Sequence, residues 1–295
     1  MIEYITTDDF SECQRLFHGR GHAYPNLNHI NIDWFSPVIL ITLYQAVEHD
    51  WLMQQAQALQ GLLPACRSVQ VQHRYRRFAP MELLIGEQVN ETVVEELGLK
   101  YYIHFGKTQN LGLFLDMKNG RDWVLKHAQG KRVLNLFAYT CAFSVAAIAG
   151  QAQKVVNIDI SKASLSKGRE NHRLNQQSLA QVTFEGVDIF KSNSRIRKHG
   201  PYDLVVCDPP TLQFGSVNIS RDYAKIIKKI PQWLLPEGEI ILCLNSPDLS
   251  AEFIFQLIEQ YCPACIFQEQ ISPPEVFKET QQGKGLKVLV FKYQP

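Results

Sequence analysis

A chain of 295 residues, 45% hydrophobic and 20% charged, has the apolar material for about two globular domains and is neither collagen-like, low-complexity nor disordered. Its 30 basic and 29 acidic side chains nearly cancel, but unevenly: residues 1–100 hold 7 against 12, and residues 161–200 hold 8 against 3. Met1-Ile2-Glu3-Tyr4 opens with no basic region ahead of an apolar run, and no stretch reaches the roughly 18–20 apolar residues that span a bilayer, so a cytoplasmic protein with no membrane partner is expected.

In chain order, Asp33–Tyr44 is an apolar run with Pro37 near its front. Residues 45–60 space Val47, Trp51, Leu52, Ala56 and Leu59 at helical intervals, with Gly61 as a stop. Residues 68–73, 81–86, 91–96 and 101–106 read as short strands between turn formers. These pieces predict a smaller α+β domain over 1–105, open to an RNA-binding role. Beyond it, 106–295 alternates regularly. Strands are expected over 132–137, 154–159, 181–185, 202–207 and 239–244, and helices over 142–149, 161–175, 220–233 and 250–260. Such alternation builds a mostly parallel, doubly wound α/β sheet with near-continuously apolar strands. The last two strands, 265–271 and 286–293, lack an intervening helix; Pro273, Pro274, Gly283 and Gly285 lie between them, so they should pair antiparallel.

Seven cysteines, an odd number, are scattered at 13, 66, 141, 207, 243, 262 and 265, which fits free buried thiols better than a disulfide framework. Cys262 and Cys265 form a close pair, but no second Cys or His pair stands at finger spacing. No metal site is expected.

Ligands of open α/β sheets sit at the carboxyl ends of strands, near the point where strand order reverses. Here those ends carry the turn Asn135–Ser144, then Asp159, then Asp188, then Asp208-Pro209-Pro210. A dinucleotide needs a glycine-rich turn so that its pyrophosphate can approach bare backbone. Residues 135–149 contain no glycine, which argues against NAD or FAD. A cofactor without phosphate, such as S-adenosylmethionine, can use the same turn. Asp159 is spaced to accept from both ribose hydroxyls. Asp188 is placed for the adenine amino group, with Ile160 or Ile189 against the ring. Asp208, followed by two φ-restricted prolines, forms a rigid lip that can accept from the amino or imino group of a planar base, with Phe214 stacking on that base. Asp208, Pro209, Pro210 and Phe214 are therefore the candidate catalytic residues.

The runs Gln109–Asp116, Val133–Val145, Asp159–Leu165, Arg169–Asn175 and Asp203–Pro210, in this order, resemble the bacterial 23S ribosomal RNA large-subunit methyltransferases that modify cytosine C5 or guanine N7. The resemblance covers about residues 95–295. It implies a seven-stranded, Rossmann-like class I methyltransferase sheet, S-adenosylmethionine as cofactor, and ribosomal RNA as partner. It also implies cofactor contacts from Phe114, Asp116, Arg121, Asn135, Ala138, Thr140, Asp159, Asp188 and Asp208. The family's turn usually carries two glycines where this chain has Cys141 and Ala142, and its N-terminal RNA-binding domain is not recognisable in 1–100. Its C5 members carry a cysteine nucleophile where this chain has Asn245, with Cys243 two residues earlier. C5 methylation requires a covalent thiolate adduct, so a base nitrogen is the expected target.

Two segments outside this frame combine arginine with aromatics: Arg15–Pro25, and His73-Arg74-Tyr75-Arg76-Arg77. Each reads either as an RNA contact or as ordinary packing and solvated edge. Lys162, Lys167, Arg169, Arg195, Arg197 and Lys198 could extend a phosphate path. Two rival functions remain: a methyltransferase acting on a small molecule or protein side chain, and a non-catalytic RNA-binding scaffold with the same fold.

Overall fold

The computed structural model describes residues 1–6, 9–106, 108–210, 212–213, 217–281 and 283–295. It contains two compact units, Met1–Asp116 with Pro274–Gln282, and Met117–Pro273 with Gly283–Pro295. The division falls after Asp116 rather than after residue 105, and a late segment returns to the first unit. That return is a long-range contact with no local signature.

The first unit holds β1 (Gln14–His18), β2 (Ile30–Phe35), β3 (Val38–Leu43), α1 (His49–Leu62), β4 (Ser68–His73), β5 (Met81–Gly86), β6 (Glu91–Glu96) and β7 (Leu99–His104). Strands β1 to β5 form one sheet in sequence order, antiparallel except for β3 and β4, which run parallel across the α1 crossover. β6 and β7 form a separate antiparallel pair. The apolar run 33–44 is therefore two strands, broken at Ser36-Pro37, where proline has no N–H to offer a ladder. Helix α1 begins later than expected and passes through Gly61 to Leu62. It buries Leu52, Ala56 and Leu59 on Ile30, Ile32, Trp34, Ile39, Ile41, Val69 and Val71. The alternate residues of the same strands, Asn31, Asp33, Thr42, Gln70 and Gln72, are buried and polar.

The second unit holds α2 (Lys118–His127), β8 (Arg132–Leu136), α3 (Ala142–Ala149), β9 (Lys154–Asp159), α4 (Lys162–Leu174), β10 (Val182–Gly186), α5 (Asn193–His199), β11 (Tyr202–Cys207), the short β12 (Leu212–Gln213) and β13 (Val217–Asn218), α6 (Ile219–Ile227), α7 (Ile230–Trp233), β14 (Leu234–Leu244), α8 (Ala251–Tyr261), β15 (Cys265–Ile271) and β16 (Lys287–Tyr293). Seven strands form the main sheet in the order β10-β9-β8-β11-β14-β16-β15. The first five run parallel, and β16 is antiparallel to both β14 and β15. This is the expected doubly wound sheet with a reversed final pair.

Helices cover both faces, which is why the strands are apolar throughout. Val133, Val155, Leu204, Val206 and Ile241 pack with Trp123 and Val124 of α2 and Phe143 and Ala147 of α3. Leu134, Leu136, Val205, Ile240 and Leu242 pack with Ile226 and Ile227 of α6, Trp233 of α7, and Ile254 and Ile258 of α8. The single helix expected over 220–233 breaks at Lys228-Lys229, and Pro231 starts a new short turn where its missing N–H costs nothing. β14 starts five residues early, at Leu234, and slips register against β11 between Leu234 and Glu239. Strand order reverses between β8 and β11, so a site is expected at their carboxyl ends. Among the described residues no helix is long and apolar enough to cross a membrane.

Candidate cofactor and active site

After β8 the chain turns through Phe137–Cys141 with left-handed backbone at alternate residues: φ is 55° at Phe137, 47° at Tyr139 and 63° at Cys141. Holding non-glycine residues there costs on the order of 1–3 kcal/mol each and is characteristic of ligand sites. The turn is closed by the Cys141 amide donating to the Ala138 carbonyl at 2.7 Å, and it is tied to β9 by the Ala138 amide donating to the Ile158 carbonyl at 3.1 Å. The Asp159 carboxylate meets the turn from the end of β9. Its Oδ2 accepts from the Tyr139 amide at 2.8 Å and its Oδ1 from the Ser161 amide at 2.7 Å. Burial pushes the Asp159 carboxyl above its usual range, and these two amides act against that rise. Ser161 also caps α4, its hydroxyl accepting from the Ser164 amide at 3.2 Å. The loop is thus tied to the start of α4 through one carboxylate.

Cys141 stands at a left-handed position, where glycine is favoured. Its thiol is buried against Gly168 of α4: a Cβ on Gly168 would lie 2.3 Å from the Cys141 Sγ. The room that a glycine would leave in the turn is provided instead on the facing helix. Burial raises the Cys141 thiol pKa.

Beneath the turn runs a buried polar chain. The Val145 carbonyl accepts from Gln177 Nε2 at 2.9 Å, which leaves Gln177 Oε1 to accept from His172 Nδ1 at 2.6 Å. His172 Nε2 then accepts from the Ser144 hydroxyl at 2.9 Å, Ser144 accepts from Asn157 Nδ2 at 2.9 Å, and Asn157 Oδ1 accepts from Asn135 Nδ2 at 2.9 Å. One carbonyl therefore sets every donor and acceptor along the chain. Burial lowers His172 to about 4, so the ring is neutral. Only Asn135 of this group was foreseen. Its signal was present in the sequence, because Asn135 and Asn157 interrupt two otherwise apolar strands at positions that the β8–β9 register pairs.

Cys207 pairs with Leu136, so Asp208 leaves β11 level with the start of the turn. Gly186 pairs with Asp159, which puts Asp188 just beyond the same edge. The structure thus brings Asp159, Asp188, Asp208 and the 137–141 turn to one end of the sheet. Pro209 is buried and Pro210 exposed. Tyr223 of α6 donates to the Cys243 carbonyl at 3.0 Å, and burial raises its phenol well above the ordinary range. Asp188 Oδ1 accepts from the Phe190 amide at 2.8 Å, and its Oδ2 lies 3.7 Å from Lys191 Nζ.

The other expected contacts divide. Ile160 is 47% exposed beside Asp159, whereas Ile189 is buried in the core with Ile158 and Ile196. Of the two, Ile160 is the residue free to meet a ring. Ala138 and Thr140 are buried in the turn, and the Thr140 carbonyl accepts from Asn171 Nδ2 at 3.0 Å. Asn135 is buried and engaged by Asn157, so it supports the turn from below. Arg121 is a buried arginine on α2; Phe114 is exposed, and Asp116 ends the first unit. Phe214 lies outside the described residues. Cys243 is fully buried among Ile241, Val288 and Val290. Among the described residues no cluster of metal-ligating side chains occurs.

A mostly parallel sheet with its polar groups gathered at the switch point and an acidic strand end tied to a glycine-free turn define a class I nucleoside-cofactor fold of the methyltransferase type. Residues 14–292 match the family model of S-adenosylmethionine-dependent methyltransferases, and the chain belongs to that family. A Shigella boydii protein named ribosomal RNA large subunit methyltransferase I is 29% identical over 266 residues, covering 87% of this chain. The chain spans 66% of that relative's length. Among solved structures, a methyltransferase complexed with S-adenosylhomocysteine superposes with a TM-score of 0.86 at 24% identity, covering 96% of this chain and 76% of that one. A Streptococcus mutans S-adenosylmethionine-dependent methyltransferase gives 0.85 at 25% identity, covering 96% and 75%. S-adenosylmethionine is the cofactor, and the donor set fits it: an acceptor carboxylate at β9, an open apolar side chain beside it, and a turn without glycine.

Proposed function

We propose that the chain methylates a base nitrogen of RNA, and that the RNA is ribosomal. The observation that carries this reading is Asp208-Pro209-Pro210 at the end of β11, beside the switch point and level with the cofactor turn. The relatives' name supports ribosomal RNA as the substrate.

When bound, S-adenosylmethionine supplies an electrophilic methyl group on its sulfonium. Asp159 accepts from the ribose hydroxyls, Ile160 covers one adenine face, and Asp188 accepts from the adenine amino group. Ala138 and Thr140 line the turn, with Asn135 and Ile189 holding it from behind. The resemblance adds Phe114, Asp116 and Arg121 to the cofactor's contacts. Asp208 and the Pro209 carbonyl accept N–H groups of the target base and hold a nitrogen lone pair in line with the methyl group. Asp208 also stabilises the positive charge that develops on the base.

Nitrogen is favoured over carbon by the thiols. All seven cysteines are buried, and Asn245 follows β14 where a nucleophile for C5 chemistry would stand. Replacing Asp208 with Asn should leave S-adenosylmethionine affinity within a few-fold and lower turnover about 10²–10³-fold, the usual loss for one transition-state group. Labelled methyl transfer into ribosomal RNA, followed by nucleoside mass spectrometry, should yield an N-methylated base. A C5-methylated cytidine would overturn the nitrogen assignment, and undiminished turnover in the variant would overturn the role of Asp208.

A further inference from the structure

The two arginine–aromatic segments outside the methyltransferase site converge in the first unit. Arg20 stands 4.5 Å from the centroid of the Tyr44 ring, and Arg74 stands 5.9 Å from the same centroid. The loop between β4 and β5 is closed at its base by His73 N–H to the Pro80 carbonyl at 2.9 Å. It is folded inside by Arg76 N–H to His73 and Ala79 N–H to Arg76, each 3.0 Å. Arg74 is fixed by the Gln109 carbonyl at 3.3 Å.

At the tip, Phe78 (φ 66°) and Ala79 (φ 48°) are both left-handed. The effect of that costly backbone is to bury Ala79 and leave Phe78 84% exposed. Arg77 lies over the Phe78 ring at 4.6 Å and Arg76 over the exposed Tyr75 ring at 5.3 Å. A lone exposed phenylalanine is unremarkable. One held out by strained backbone, beside a second exposed ring and under guanidinium planes, is a prepared stacking surface.

The charges point to the same ligand. Among the described residues, none of Arg20, Arg74, Arg76 and Arg77 is ion-paired with a carboxylate, whereas Arg15 of the same unit is held by Asp33. These four are more than half of the seven basic residues in 1–100, a region with 12 acidic ones. At the base of the loop, Glu82 of β5 engages His73 at 3.1 Å. The loop is thus a positive, aromatic island on an acidic unit.

We propose that Arg20, Tyr44 and the loop Arg74–Phe78 form a docking platform for single-stranded RNA, with Tyr75 and Phe78 stacking on unpaired bases and the arginines meeting phosphates. Exposed rings select single strands, because the bases of a duplex offer no free faces. The proposal rests on the reading of RNA as substrate and adds where the strand is gripped.

The test is binding of labelled oligouridine to the full chain, with calorimetric titration of S-adenosylmethionine as a control for the other unit. Phe78→Ala should weaken oligouridine binding roughly five- to hundred-fold, the measured range for one stacked base, and Phe78→Tyr should restore it. Arg76→Ala with Arg77→Ala should reduce the slope of log affinity against log salt by about 0.7 per lost phosphate contact. S-adenosylmethionine affinity should not change in any of them. Wild-type affinity in Phe78→Ala, or equal affinity for a duplex, would overturn the platform while leaving the proposed reaction standing. Failure of the unaltered protein to bind any RNA would overturn both.

Discussion

Both units bury hydrogen-bonded polar side chains against a sheet, and they do so with opposite chemistry. Beside β1 and β2, Arg15 pairs with Asp33 through Nε and, at 3.3 Å, through Nη2, with His18 Nδ1 2.7 Å from Nη1. Beneath the turn 137–141, the chain from Gln177 to Asn135 contains no charge at all. An ion pair out of water depends wholly on its partner, because desolvating either charge alone is expensive. A neutral chain costs less to bury, and a fixed donor–acceptor order can hold geometry without it. The contrast suits their positions: the neutral chain lies beneath the turn 137–141, where three non-glycine residues hold left-handed backbone.

The largest effect should come from the charged cluster. Arg15→Met leaves the Asp33 carboxylate buried, where desolvation already drives its pKa upward against the pull of Arg15. Breaking such a pair typically costs about 3–5 kcal/mol, while replacing both partners with apolar residues is close to neutral. Urea unfolding should therefore show Arg15→Met strongly destabilised and Arg15→Met/Asp33→Leu largely recovered. If the double variant is as unstable as the single one, packing rather than charge accounts for the loss, and the contrast between the units collapses.

The neutral chain makes a pH prediction. His172 titrates at about 4 in the folded protein against 6.5 in the unfolded one, with burial as the main cause. The unfolded state therefore takes up a proton as pH falls through 6.5, and the folded state does not until near 4. Stability from this group is complete above 6.5 and declines between 6.5 and 4, by about 2 kcal/mol on going from pH 7 to pH 5. His18, lowered to about 3 by burial and by Arg15 and Arg20, has the same sign in the other unit. His172→Gln should flatten the pH dependence of unfolding free energy by one proton's share and leave that of His18. An unchanged slope would mean that the ring is charged in the folded state and that the chain has no fixed direction.

The sequence was most legible where burial is symmetrical. β8, β9 and β11 lie between helices on both faces, so their apolar runs could be bounded within a residue, and the helix-free link before β16 disclosed its reversal. Where two local signals compete, reading failed. An apolar run could not announce that 33–44 folds back on itself, nor a helical period that α6 and α7 part at Lys228. Sites followed the same rule. Asp159, Asp188 and Asp208 follow strands and were placed by counting, whereas Ile160 and Ile189 follow strand ends where no period says which one faces the core. Asn157, Ser144, His172 and Gln177 were missed because each is a single polar residue in an ordinary setting. Register, not composition, joins them.

A smaller effect tests whether the turn is built by packing from α4. Gly168→Ala puts a Cβ 2.3 Å from the Cys141 Sγ and 2.8 Å from its Cβ, neither of which is the far end of a flexible side chain. The misfit should cost about 1–3 kcal/mol despite the better helix propensity of alanine. Cys141→Gly removes the obstructing atoms and suits the left-handed backbone, at the loss of a small buried side chain. In that background Gly168→Ala should become neutral or stabilising, since alanine gains up to about 1 kcal/mol in a helix. The two sites should therefore couple by roughly 1–3 kcal/mol in a double-mutant cycle. Calorimetric S-adenosylmethionine affinity should fall in Gly168→Ala and return in the double variant, because the turn that carries Asp159's partner amide moves with Cys141. Equal costs of Gly168→Ala in both backgrounds would show that α4 does not press on the turn, and that the strain at 137–141 is held by the neutral chain alone.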